Sequence, residues 1–175
     1  MLFRSVVAVA THLGVKPLNV DEALSKFGGT WRRFEYKGEV SGAKVYDDYG
    51  HHPTEIKATM QGARELYPDR EITIVFQSHT YTRTHELFND FVDVLSEADR
   101  VIVLPIYFAR EENESGVSHT KLADAIKEKN KNVRALDTVE EAVTELKKSL
   151  SVKDVVITMG AGDMTSIVAK GLISN

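Results

Sequence analysis

The chain reads as an α/β protein: a doubly wound, mainly parallel sheet with helices on both faces. Three observations carry that reading. From Ala43 onward, short β-branched runs alternate with helical patterns at a spacing that suits strand–helix–strand units. The composition is that of an ordinary globular protein, with 42% hydrophobic and 27% charged residues in 175 positions, enough for one domain with a sizeable core. The unusual polar residues follow strands rather than helices, as they do where a doubly wound sheet presents its ligand crevice.

Leu2 to Leu13 reads as a helix, with Val6, Val9, Ala10 and Leu13 at helical spacing. A second helix is expected after Asn19 as cap, with Asp21 and Glu22 in its first turn and Gly28-Gly29 as its stop. Trp31 to Val40 suggests a strand pair turning at Lys37-Gly38, with Arg32 and Arg33 on a solvated edge. The strand Ala43–Tyr46 leads through a polar turn to a helix from Pro53 to about Leu66, its inward face Ile56, Met60 and Ala63. The strand Ile72–Phe76 leads to a helix from Thr84 to about Leu95. Its apolar face is Leu87, Phe88, Phe91, Val92 and Leu95. The strand Val101–Leu104 precedes a long acidic loop and a helix capped by Ser118. The strand Val133–Leu136 precedes a helix opened by a capping box, Thr138 and Glu141. The strand Val155–Thr158 runs into Gly160-Ala161-Gly162-Asp163 and a last helix.

Several function classes are disfavoured. A net charge of −4 without a Lys/Arg run offers no footprint for nucleic acid. No apolar run reaches membrane-spanning length. With no cysteine there is neither a disulfide framework nor thiolate chemistry, and a cytoplasmic protein is the plain expectation. No GxxxxGK[ST] sequence occurs, so a P-loop is missing. Gly160-Ala161-Gly162 follows the last strand and has Thr165 where a dinucleotide fingerprint has its third glycine, so tight packing is its expected role.

The candidate chemistry lies in two turns. Asp47-Asp48-Tyr49-Gly50-His51-His52-Pro53 concentrates carboxylates, imidazoles and a phenol, and Gln77-Ser78-His79-Thr80-Tyr81-Thr82-Arg83 does so again. Asp47, Asp48, His51, His52, His79 and His85 have metal-ligand character. Adjacent residues in extended chain point apart, however, and no HExxH or Cys/His spacing supports a shared ion. Arg83 is either a bidentate clamp for a carboxylate or a surface ion pair with Thr84 capping the next helix; spacing alone leaves both open. The run from Arg110 to Glu114 is a solvated loop or a lid.

These motifs resemble those of the Mur ligase family. Asp47-Asp48-Tyr49-Gly50-His51-His52-Pro53-Thr54-Glu55 is similar to its signature, and Arg32-Arg33-Phe34-Glu35 to an element ahead of it. Phe76-Gln77-Ser78-His79-Thr80-Tyr81-Thr82-Arg83-Thr84 resembles the family's Phe-Gln-Pro-His-Arg-Tyr-(Ser/Thr)-Arg-Thr. Gly116-Val117-Ser118 and Gly160-Ala161-Gly162-Asp163 also fit. Ser78 and Thr80 depart from the usual Pro and Arg, and Trp31 from a smaller or polar residue. The resemblance implies a Rossmann-like C-terminal domain over residues 15–175. Residues 1–14 would be the tail of a central P-loop ATPase domain. That domain, and an N-terminal domain for the UDP-sugar, would be the partners missing here.

The implied reaction joins L-alanine to UDP-N-acetylmuramate. The sugar's carboxylate takes the γ-phosphoryl group of ATP to form an acyl phosphate, and the amine then displaces phosphate. Mg2+ would be held mainly by the central domain. By the same resemblance Arg33, Asp48 and His52 would meet the nucleotide. Tyr49, His51, His79, Tyr81 and Arg83 would bind the amino acid, with His51 or His79 as the base. Alternatives are a recycling member that adds a peptide to the same sugar acid, usually carrying Phe-Ala where this chain has Tyr49-Gly50, and a metal-dependent phosphoesterase. A non-catalytic nucleotide-binding module is a third.

Overall fold

The computed structural model describes residues 2–174 and divides after Thr30 into two compact units. The first holds α1 (Leu2–His12) and α2 (Pro17–Ser25). Helix α2 begins earlier than its sequence suggests. Pro17 takes the first position, where its missing N–H costs nothing, and Asn19 lies inside the first turn rather than at the cap.

The second unit, from Trp31 onward, is a six-stranded sheet. Its elements are β1 (Glu35–Val40), β2 (Ala43–Asp48), α3 (Pro53–Leu66), β3 (Glu71–His79), α4 (Tyr81–Glu86) and α5 (Phe88–Leu95). After them come β4 (Arg100–Tyr107), α6 (His119–Lys127), β5 (Val133–Ala135), α7 (Val139–Ser149), β6 (Asp154–Met159) and α8 (Asp163–Ile173). The spatial order is β1-β2-β6-β3-β4-β5, with β1 antiparallel to β2 and every other pairing parallel. The expected α/β fold is therefore present, with one antiparallel edge strand added.

Alternate strand residues sort onto two cores, as the period of two requires. Ile72, Ile74, Phe76, Val101, Val103, Val155 and Ile157 pack beneath Ile56, Met60 and Ala63 of α3, Phe91 and Leu95 of α5, and Leu122 and Ile126 of α6. On the opposite face Val45, Val75, Ile102, Leu104 and Val156 meet Ala142 and Leu146 of α7 and Val168, Ala169 and Leu172 of α8. Helices thus cover both faces.

Three expectations are corrected. There is no strand pair within 31–40: Gly38, at φ 142°, marks a bulge where the register slips, and the hairpin turns at Ser41-Gly42. Strands β2 and β3 run on through Asp47-Asp48 and through Gln77, Ser78 and His79, so those residues are strand members, all buried but the half-buried His79, rather than turn residues. The helix expected from Thr84 is two helices broken at Leu87, and its cap is Thr80, whose hydroxyl accepts from Arg83 N at 3.3 Å.

Candidate functional site

Because β2, β6, β3 and β4 are parallel, their carboxyl ends share one edge of the sheet. Asp48, Gly160, His79 and Tyr107 stand there. In an open α/β sheet this edge is where ligands bind.

Asp48 closes β2. Its carboxylate accepts from the Gly50 and Phe34 amides, each at 2.7 Å, and the side chain is buried. Burial lifts its pKa above the ordinary carboxylate value, against the pull of those amides and of Arg33. Pro53 opens α3, His52 Nδ1 accepts from Thr54 N, and Glu55 reaches back to the amides of His51 and His52. His52, expected at the nucleotide, is here the cap of α3.

From Tyr49 a row of rings crosses the edge. Tyr49 meets His51 edge-on at 5.5 Å, and His51 meets His79 at 5.8 Å. His79 stacks on Tyr107 at 5.3 Å and 19°, and Tyr107 continues to Phe108. The Tyr49 carbonyl accepts from His51 Nδ1 at 3.0 Å, which puts the lone pair of the neutral ring on Nε2. Burial chiefly, then the charge of Arg83 and His51, holds the His79 pKa below its ordinary value, so the neutral imidazole is favoured. Arg83 Nη1 lies 3.5 Å from His79 Nδ1, and among the described residues no carboxylate pairs with Arg83. The alternative of a surface ion pair is thus not what the structure holds. Arg33 is exposed, 3.7 Å from Glu55 and over the Tyr49 ring.

The structure therefore brings together Tyr49, His51, His79 and Arg83, with Arg33 and Asp48 at one end of the row. It places Tyr81 elsewhere, in a cleft with Glu111, Glu112 and Glu114. Sequence reasoning gave no role to Tyr107 and Phe108, which with His79, Ala109 and Arg110 line a cleft of about 430 Å³. The signal was their place at the end of a buried strand and just beyond it. It also missed the burial of Arg32 and Asp47, which a doublet of like charges does not reveal. Among the described residues no group of three His, Asp or Glu is placed to hold a metal ion: Asp47 is ion-paired, His52 is a cap and His85 lies exposed on α4.

The glycine turn after β6 has the packing role expected of it. A Cβ on Gly160 would overlap the carbonyl oxygen of Gln77, and one on Gly162 would overlap the Gln77 amide oxygen. Ser78, fully buried, bonds Thr84 Oγ1 at 2.6 Å, which fixes the start of α4 and with it Arg83.

Fold and site together define a doubly wound α/β domain with its polar groups gathered at the carboxyl edge. Residues 32–162 match the family described as Mur ligase, glutamate ligase domain, and the chain belongs to the Mur ligase family. It is 44% identical over 162 residues to the UDP-N-acetylmuramate–L-alanine ligase of Desulfitobacterium hafniense (strain Y51), covering 92% of this chain and 36% of that protein. It is 46% identical over 158 residues to the ligase of the same name from Clostridium novyi (strain NT), covering 90% of this chain and 34% of that one. The solved UDP-N-acetylmuramate–alanine ligase MurC of Thermotoga maritima superposes with a TM-score of 0.80 at 27% identity, over 98% of this chain and 36% of that one. The chain thus spans about a third of the length of the relatives it matches.

Proposed function

We propose that this chain is the amino-acid- and nucleotide-binding C-terminal domain of an ATP-dependent ligase that joins L-alanine to UDP-N-acetylmuramate in peptidoglycan synthesis. The observation that carries the reading is the row Tyr49–His51–His79 with Arg83, a cation without a carboxylate partner among the described residues, beside His79. An amino acid presents a carboxylate for the guanidinium and an amine for a neutral imidazole, and this row offers both 3.5 Å apart. His51 Nε2 and His79 are the two candidate bases. Asp48 retains acceptor capacity beyond its two amides for a ribose hydroxyl, and Arg33 is free enough to meet phosphate.

ATP supplies the phosphoryl group that turns the sugar's carboxylate into a good leaving group, and dependence on ATP argues for a cytoplasmic site of action. No helix among the described residues is long and apolar enough to cross a membrane. The donor set here does not fit a Mg2+ cage, so that ion would be held mainly by the central domain, which would also carry the P-loop, and the N-terminal domain would hold the UDP-sugar. Residues 1–14 would close the central domain and residues 15–175 form the C-terminal one. The recycling alternative is disfavoured by Tyr49-Gly50 and by the names of the relatives at 44–46% identity. The phosphoesterase alternative lacks a metal-holding group among the described residues.

The test is reconstitution. This chain is mixed with a separately expressed piece carrying the sugar-binding and P-loop domains, and phosphate release is followed with UDP-N-acetylmuramate, ATP, Mg2+ and L-alanine. Alanine-dependent release is expected. Arg83→Ala should raise the alanine KM by tenfold or more, about 1.4 kcal/mol of lost carboxylate binding. Phosphatase activity of this chain alone would overturn the reading.

A further inference from the structure

Among the described residues Arg32 is the one buried basic side chain, 2% exposed. Its Nε donates to Asp47 Oδ2 at 2.9 Å, and its Nη2 to Gly160 O at 2.6 Å and Thr165 Oγ1 at 2.8 Å. Asp47 is held in turn by the hydroxyls of Thr158 and Ser166, each at 3.0 Å. The backbone of Arg32 is bonded as fully: its N–H donates to Glu35, and its carbonyl accepts from Tyr49 N at 2.7 Å. It holds φ 50°, a conformation that a non-glycine residue keeps only where its surroundings enforce it.

One side chain therefore joins three chain segments that meet at the carboxyl edge. They are the approach to β1, the end of β2 and the glycine turn into α8. A buried ion pair is a poor source of net stability, because desolvation of both charges offsets their attraction. What such a pair supplies is geometry, and here the geometry points at one ring. The guanidinium lies over Tyr49, with Cζ 5.1 Å from the ring centroid, while the Tyr49 amide is fixed by the Arg32 carbonyl. Tyr49 is also the first member of the row that continues to His51 and His79.

We infer that Arg32 is a positioning residue, which with Asp47 sets the Tyr49 ring and through it the row of rings facing the ligand. The identity of that ligand rests on the proposed function; the positioning does not. Both residues are buried, so their part is indirect.

The experiment is NMR on this chain. In the wild type, the Arg32 Nε–H is expected as a slowly exchanging resonance with an NOE to the Tyr49 ring, and Tyr49 with an NOE to His51. Lack of both NOEs would overturn the inference whatever the variants do. The paired variant Arg32→Met/Asp47→Leu removes both charges at similar volume. Its thermal midpoint is expected within about 4 °C of the wild type, while the Tyr49–His51 NOE is lost. Retention of that NOE in the folded paired variant would make Arg32 merely structural and defeat the idea. Arg32→Lys is the second probe, since an ammonium can reach Asp47 but has no plane to lay on the ring. Shifted Tyr49 ring signals are expected from it, and unshifted ones count against the proposal. Ligase activity is judged separately, by phosphate release from the reconstituted wild type. A silent wild type with the Arg32–Tyr49 signature intact would sink the functional reading and support this one.

Discussion

His79 lies between two rings and beside a guanidinium, and burial, Arg83 and His51 all disfavour its imidazolium. Its folded pKa therefore lies below the ordinary 6.5 that an unfolded chain keeps. Between those two values the unfolded chain binds more protons, so stability rises with pH there. The contribution of neutral His79 is complete above about pH 6.5 and is lost as pH falls through the depressed folded value. Arg83→Met removes the second of the causes and is expected to move the His79 midpoint upward toward 6.5. The Hε1 shift followed against pH would read it, and an unmoved midpoint would leave burial and His51 as the causes. The same depression keeps the ring neutral at neutral pH, as a base role requires, with its Nδ1 lone pair turned to Arg83 Nη1 at 3.5 Å. At this scale the sequence was legible for types and poor for states. It put His51, His79 and Arg83 in candidate roles. It could not tell that Asp47 and Asp48 are both buried but differ in task, one paired with a cation and the other holding backbone amides. Nor could it tell that His52 caps a helix while its neighbour faces the site.

The helix starts were readable where the signal is local. Pro53, Ser118 and the Thr138/Glu141 box all sit where spacing places them, because each needs only the next three residues to make its bonds. Thr138→Ala should cost about 1 kcal/mol in urea unfolding with the slope unchanged, since Thr138 Oγ1 accepts from Glu141 N at 3.1 Å. A loss under a few tenths would mean water serves that amide as well. Strand ends were not readable, and the reason is tertiary. Gln77 looks like a turn residue until its amide meets the Pro105 carbonyl on β4 at 2.9 Å. Asp47 looks like one until Arg32, Thr158 and Ser166 surround it. The turn after β6 shows the converse: Gly160 holds φ 144° with the Gln77 carbonyl oxygen where a Cβ would stand. Gly160→Ala should destabilise by about 3 kcal/mol or more, from strain and overlap together. A variant that melts with the wild type would show that the turn can open.

Across the whole molecule, alternation of strand and helix was enough to give a parallel sheet with its chemistry at one edge. Chain order does not give spatial order, however, and the insertion of β6 between β2 and β3 was not derivable from it. That insertion is what brings the glycine turn beside Asp48 and Gln77: Gly160 N donates to the Asp48 carbonyl at 3.2 Å, and the turn packs on Gln77. Both hydrophobic clusters are also built wholly from residues after Thr30, the first from Tyr46 onward with Phe34 against it, the second from Ala43 onward with Val40 against it. A chain that starts at Trp31 keeps every one of those side chains, and its length suffices for an independent core. It is therefore expected to unfold in one cooperative transition, with its near-ultraviolet and far-ultraviolet dichroism still native. The measurement is thermal and urea unfolding followed by both probes. Coincident transitions would establish the sheet unit as a domain in its own right. A broad, probe-dependent transition would mean that residues up to Thr30 contribute to the fold, and the domain boundary would then lie before them.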